Sequence, residues 1–136
     1  MKIGIFASKY YTKKNDVKKF LLQVKEKVGN TEEIEITIIN RKTLIDSQIK
    51  KLVHFVDYKY SEFIPYYEKW NPFCVEKAYL FNKQYSHRYF FTIFSKFVKY
   101  CDLILILDSE EKSDSMINYI LKILSKKNKD FIVLKS

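Results

Sequence analysis

The sequence predicts an α/β sandwich of three layers, with about five mostly parallel strands between helices on both faces. Short apolar runs alternate with stretches of helical spacing along the whole chain. The runs are continuously apolar, as strands buried on both faces are, and such strands belong to parallel sheets covered by helices. The 136 residues are 47% hydrophobic and 30% charged, which suffices for one core and one domain spanning residues 1–136.

Each element has its own signal. Lys2 to Ala7 (KIGIFA) is a short apolar run and predicts strand one. Asp16 to Val28 carries Val17, Phe20, Leu21, Val24 and Val28 at helical spacing, with Asn15 or Asp16 to cap its start and Gly29-Asn30 its end. Glu33 to Ile39 (EIEITII) is β-branched and predicts strand two. Thr43 to Asp57 repeats Leu44, Ile45, Ile49, Leu52, Val53 and Val56 as a second helix. Tyr60 to Ile64 is a short third strand, stopped by Pro65. Phe73 to Tyr100 reads as helix in two pieces, broken near Ser86. Cys101 to Leu107 (CDLILIL) is a buried strand, Ser113 to Lys127 an amphipathic helix, and Phe131 to Leu134 the last strand.

Composition excludes several classes. Only Gly4 and Gly29 are present, where average usage predicts about nine glycines. An enzyme built on a glycine-rich phosphate loop is therefore disfavoured, because only glycine lets backbone approach a phosphate at positive φ. Cys74 and Cys101 form no C-x-x-C pair and read as buried reduced thiols. His54 and His87 cannot build a zinc site without distant help, so neither a metal nor a cofactor is expected. The N-terminal apolar run is too short for a signal sequence or a membrane span. A cytoplasmic protein that keeps clear of membranes is expected.

Aromatic residues crowd the third quarter. Sixteen of the 23 lie between Tyr58 and Tyr100. One small core does not readily hide them all. Thick core packing competes with an interaction surface and with a platform for stacking bases. The interface reading predicts a homodimer or higher oligomer through Tyr85, Tyr89, Phe90, Phe91, Phe94, Phe97 and Tyr100.

The net charge is +9, and its cations are nearly all lysine, with only Arg41 and Arg88 besides. Lys9, Lys13, Lys14, Lys18, Lys19, Lys25 and Lys27 concentrate charge near the first helix. Proteins that read bases or clamp phosphates favour the arginine fork. This surface fits a solvated face better than nucleic-acid binding, which stays as a lesser alternative.

Four strings carry a resemblance. They are KIGIFASKYY with Ser8-Lys9, ITIINRKTLID ending in Asp46, YSEFIPYYEKW with Pro65 and Trp70, and VKYCDLILILDSEEKSDSMINYIL. Together they resemble the SLOG superfamily, small Rossmann-like proteins related to the "lonely guy" phosphoribohydrolases, and in particular the short stand-alone members of bacteria and phages. The resemblance implies a Rossmann-like fold and a nucleotide-derived ligand. It also exposes departures. The family's glycine-rich loop after strand two is replaced by Asn40-Arg41-Lys42-Thr43-Leu44-Ile45, its Arg-Asn pair by Ile93 and Phe94, and its Gly-Thr pair by Ser115 and Met116. Phosphoribohydrolase activity is not expected.

In an open α/β sheet, ligands sit beyond the carboxyl ends of the strands where strand order switches. The loops there offer Ser8, Lys9, Asn40, Arg41, Lys42, Thr43, Asp108, Ser109, Lys112 and Ser113 as ligand-binding residues. Ordinary polar-loop and capping chemistry is the competing account of all these residues, with Asp46 and Ser113 as candidate caps. The expectation is a non-catalytic, degenerate SLOG-like protein that binds a nucleotide derivative as sensor or sequestering protein. The alternative is a protein-interaction module, such as a phage or mobile-element factor that inhibits a host protein.

Overall fold

The computed structural model describes residues 1–28, 33–41, 43–63 and 87–135, with the side chains of 28 and 87–91 left aside. Nine elements follow one another: β1 (Lys2–Ala7), α1 (Lys14–Val28), β2 (Glu35–Ile39), α2 (Leu44–Phe55), β3 (Lys59–Phe63), α3 (His87–Tyr100), β4 (Leu103–Asp108), α4 (Ser115–Lys127) and β5 (Phe131–Lys135). The strands form one sheet in the order β3-β2-β1-β4-β5. All four pairings are parallel, with Ile3 opposite Ile36 on one side of β1 and opposite Leu103 on the other. This is the expected Rossmann-like sandwich.

Side-chain alternation sorts the core into two layers. Ile3, Ile5 and Ala7 of β1 join Ile36, Ile38, Leu105 and Leu107 under α1 and α2. Phe6 joins Ile39, Ile104 and Ile106 under α3 and α4. The first layer is largely aliphatic. The second holds Phe6, Phe94 and Phe97, whose rings meet edge-on or tilted at 6.0–6.3 Å. Gly4 lets α3 come down on β1, because a Cβ there would stand 2.5 Å from Phe97 Cζ and 2.6 Å from Cys101 Sγ.

Several boundaries differ from expectation. Helix α1 begins at Lys14, so Asn15 and Asp16 lie inside its first turn and do not cap it. Helix α2 is capped by Thr43, and Asp46 supports the cap from the third helical position. Strand β4 begins at Leu103, because Asp102 is taken up by Lys2, exchanging backbone N–H for O at 2.8 Å and accepting Lys2 N–H on Oδ2 at 2.8 Å. Helix α4 is capped by Asp114 and not by Ser113. The expected helical piece before Ser86, the Gly29-Asn30 stop, Cys74 and Tyr85 lie outside the described residues.

The interface assigned to the third helix needs correction. Phe94 and Phe97 are wholly buried against the sheet, so they face the core and not a partner. Tyr100 is half-buried and turns its hydroxyl inward to Glu35. The side chains of Tyr89, Phe90 and Phe91 are not among those described. Cys101 is buried, and burial pushes its thiol up to about 12, which makes it a core residue and not a nucleophile.

Candidate functional site

The winding of the chain reverses between β1 and β4. Helices α1 and α2 cover one face on the way to β3, and α3 and α4 cover the other on the way to β5. The crevice therefore opens beyond Ala7 and Asp108. The loops after β1 and β4 begin alike. Ser8 N–H donates to Leu107 O at 2.8 Å, its Oγ accepts Tyr10 N–H at 3.2 Å, and its carbonyl accepts Tyr11 N–H at 3.0 Å. Ser109 N–H donates to Asp108 Oδ1 at 2.9 Å, and its Oγ accepts Glu111 N–H at 3.3 Å. Both serines are buried and shape their own turns.

Arg41 dominates the centre. Its Nη2 donates to Ala7 O at 2.8 Å and pairs with Asp114 Oδ2 at 3.2 Å. Its guanidinium carbon lies 4.6 Å from the centroid of the Phe6 ring. The Arg41 and Asp114 side chains are only 10% and 4% exposed. The pair thus stretches from the loop after β2, past the end of β1, to the start of α4. Among the described residues Arg41 Nε is buried without a partner.

Carboxylates sit at the start of both α2 and α4. Asp46 Oδ2 accepts Arg41 N–H at 2.9 Å and the Thr43 hydroxyl at 2.8 Å, while Thr43 Oγ1 accepts Asp46 N–H. Burial pushes the Asp46 carboxyl above its ordinary range, against the pull of these hydrogen bonds. Asp114 Oδ1 accepts Met116 N–H at 3.0 Å, and its Oδ2 accepts Lys9 N–H at 3.4 Å. Burial would raise Asp114 too. The Arg41 charge and the two backbone donors outweigh it and hold the carboxyl below the ordinary range. Both helix N-termini are thus already answered by protein carboxylates.

The free cations lie just outside. Lys9 Nζ and Lys112 Nζ stand 5.1 and 5.3 Å from the centroid of one ring, that of Tyr10. Both lysines are exposed, and neither has an ion pair among the described residues. Exposed Glu110 and Glu111 share the second loop and moderate its charge. Among the described residues no group of three His, Cys, Asp or Glu could hold a metal ion. Nor is any helix there long and apolar enough to cross a membrane.

Of the expected ligand-binding residues, the fold gathers Ser8, Lys9, Arg41, Asp108, Ser109, Lys112 and Ser113 around the crevice. Asn40 turns away, donating from Nδ2 to Glu62 on β3 at 3.0 Å. Thr43 is occupied as a cap, and Lys42 lies outside the described residues. Tyr10 and Asp114 belong to the site and were not foreseen. Asp114 carried a legible signal, a second capping residue directly before an apolar helix. Its pairing with Arg41 spans 73 positions and had none.

No family model matches the chain, and neither the curated proteins nor the solved structures include a match. The resemblance to the SLOG superfamily thus rests on the four short strings alone.

Proposed function

We propose that this chain is a non-catalytic, degenerate SLOG-like binding protein that takes a phosphate-bearing nucleotide derivative at the mouth of the β1/β4 crevice. One observation carries the reading, the convergence of Lys9 and Lys112 on the Tyr10 ring at the switch point. Two ammonium groups suit a phosphate pair, and a half-buried tyrosine suits a flat ring. The crevice behind them supports binding without catalysis. Its buried carboxylates, Asp46 and Asp114, are committed to caps, and Arg41 to an ion pair.

Thermal unfolding with adenosine phosphates and ADP-ribose at millimolar concentration tests this. At about tenfold over Kd a ligand should raise Tm by about 5 °C. The Lys9→Ala/Lys112→Ala variant should keep its own Tm and lose the ligand shift. No shift with any of these compounds, or an equal shift in the variant, overturns the reading.

A further inference from the structure

Helix α2 exposes two large apolar side chains at the ends of one stripe, whose middle residue Leu52 also packs against the core. Leu44 is 73% exposed and Phe55 71% exposed. Leu44, Gln48, Leu52 and Phe55 recur at spacings of four, four and three, so they share one helix face about 16 Å long. Between α1 and α2 this face opens into a groove of about 290 Å³ lined by Lys14, Lys18, Gln48, Lys51, Leu52 and Phe55. Three of the six are lysines and none is acidic. Lys18 Nζ stands 4.8 Å from the centroid of the Phe55 ring, so apolar and cationic groups form one surface.

We propose that the α1/α2 face docks an acidic amphipathic helix of a partner protein. The apolar stripe supplies helix-in-groove anchoring, and the lysines select carboxylates on either side of the anchors. A second copy of the chain is a poorer occupant, since face-to-face pairing would set these lysines against their equivalents. Nucleic acid is poorer as well, because Leu44 and Leu52 offer nothing to a phosphate or a base edge. The surface lies on a different part of the fold from the Lys9–Tyr10–Lys112 mouth and does not depend on it.

The test is fluorescence anisotropy with a labelled synthetic helical peptide of about 16 residues, carrying Leu or Phe at i, i+4, i+7 and i+11 and Glu between them. Controls are the same residues in scrambled order and a version with Lys for Glu. The Glu peptide should bind in the micromolar range, and neither control should. Phe55→Ser should weaken binding about tenfold, a fair change for an exposed anchor. Lys14→Glu/Lys18→Glu/Lys51→Glu should abolish it, while Lys9→Ala/Lys112→Ala should leave it unchanged. Circular dichroism should show every variant folded, as these side chains lie outside the core. Equal binding of the scrambled peptide, or unaltered binding by Phe55→Ser, overturns the proposal. A dimer by light scattering that Phe55→Ser converts to monomer overturns it in favour of self-association. Binding of a single-stranded oligonucleotide that the triple lysine variant removes, with no peptide binding, overturns it in favour of nucleic acid.

Discussion

At the carboxyl end of the sheet, Arg41 reaches from the loop after β2 past Ala7 to Asp114 at the start of α4. At the amino end, Glu35 of β2 meets the hydroxyls of Tyr100 and Ser61 and the Lys59 ammonium at 3.5 Å. Both contacts tie β2 to its neighbours, but by different chemistry. The carboxyl end is closed by two opposite charges, each nearly out of water. The amino end is closed by a carboxylate bonded to neutral hydroxyls, with a cation that is 63% exposed. A deep ion pair is costly to break from one side, because the survivor stays buried and unpaired. A hydroxyl or an exposed ammonium can be lost at far lower cost. The comparison also accounts for the crowded crevice, where an internal guanidinium and an internal carboxylate stand where a ligand's charges would enter.

The sharpest way to break this comparison is Arg41→Met. It leaves Asp114 buried without its cation and should cost about 3–5 kcal/mol in urea unfolding. Adding Asp114→Asn should restore part of the loss, since asparagine still caps α4. The pH dependence gives a second handle. In the wild type the Asp114 carboxyl lies below its ordinary 3.8, so its stabilisation is present above pH 3.8 and is lost as pH falls through the folded value. Burial is already the largest influence on that carboxyl; without Arg41 only the two backbone donors oppose it, and the carboxyl should rise. The variant then gains a proton on folding, and its deficit should shrink between about pH 7 and pH 4. A pH-independent deficit, or a loss below about 1 kcal/mol, would show that the pair does not close the carboxyl end.

Packing and not charge secures the amino half, and Gly4→Ala probes it. The added methyl meets Phe97 Cζ and Cys101 Sγ closer than carbon tolerates, and the neighbouring strands hold β1 in place on both sides. Overpacking of this kind should cost about 1–3 kcal/mol. Cys101→Ala on the same chain removes one of the two obstructions and should recover part of it. A neutral Gly4→Ala would mean that α3 is free to lift away from the sheet.

How far the sequence shows all this differs between strands and site. Continuous apolar runs place β1 at its true bounds and β4 within two residues, because burial on both faces leaves few other options. The caps of α1 and α4 are missed by a residue or two, and the start of β4 is missed because distant hydrogen bonds decide it. Asp102 is withheld from β4 by the backbone of Lys2, a hundred positions away. The site residues are harder still. Arg41 has the look of a ligand residue in its loop, yet folding brings Asp114 against it. Phe94 and Phe97 have the look of surplus aromatics, yet Gly4 opens the space that seats Phe97. Residue type was legible in each case, and the long-range partner was not.

The smallest effects separate the two kinds of contact at the amino end itself. Glu35 would be raised by burial, but the hydrogen bonds from Tyr100 and Ser61 and the nearby Lys59 prevail and hold it below its ordinary 4.5. Tyr100→Phe removes the nearest donor while Ser61 still donates at 3.2 Å. The carboxylate keeps a partner, so the loss should be about 1 kcal/mol in urea unfolding. Lys59→Ala removes a charge that water and salt already screen, and should cost at most about 0.5 kcal/mol. If Lys59→Ala proves the more damaging of the two, the amino end is also held by charge, and the contrast between the two ends of the sheet fails. If the order holds at low and moderate salt alike, the hydroxyl carries the contact and the lysine only accompanies it.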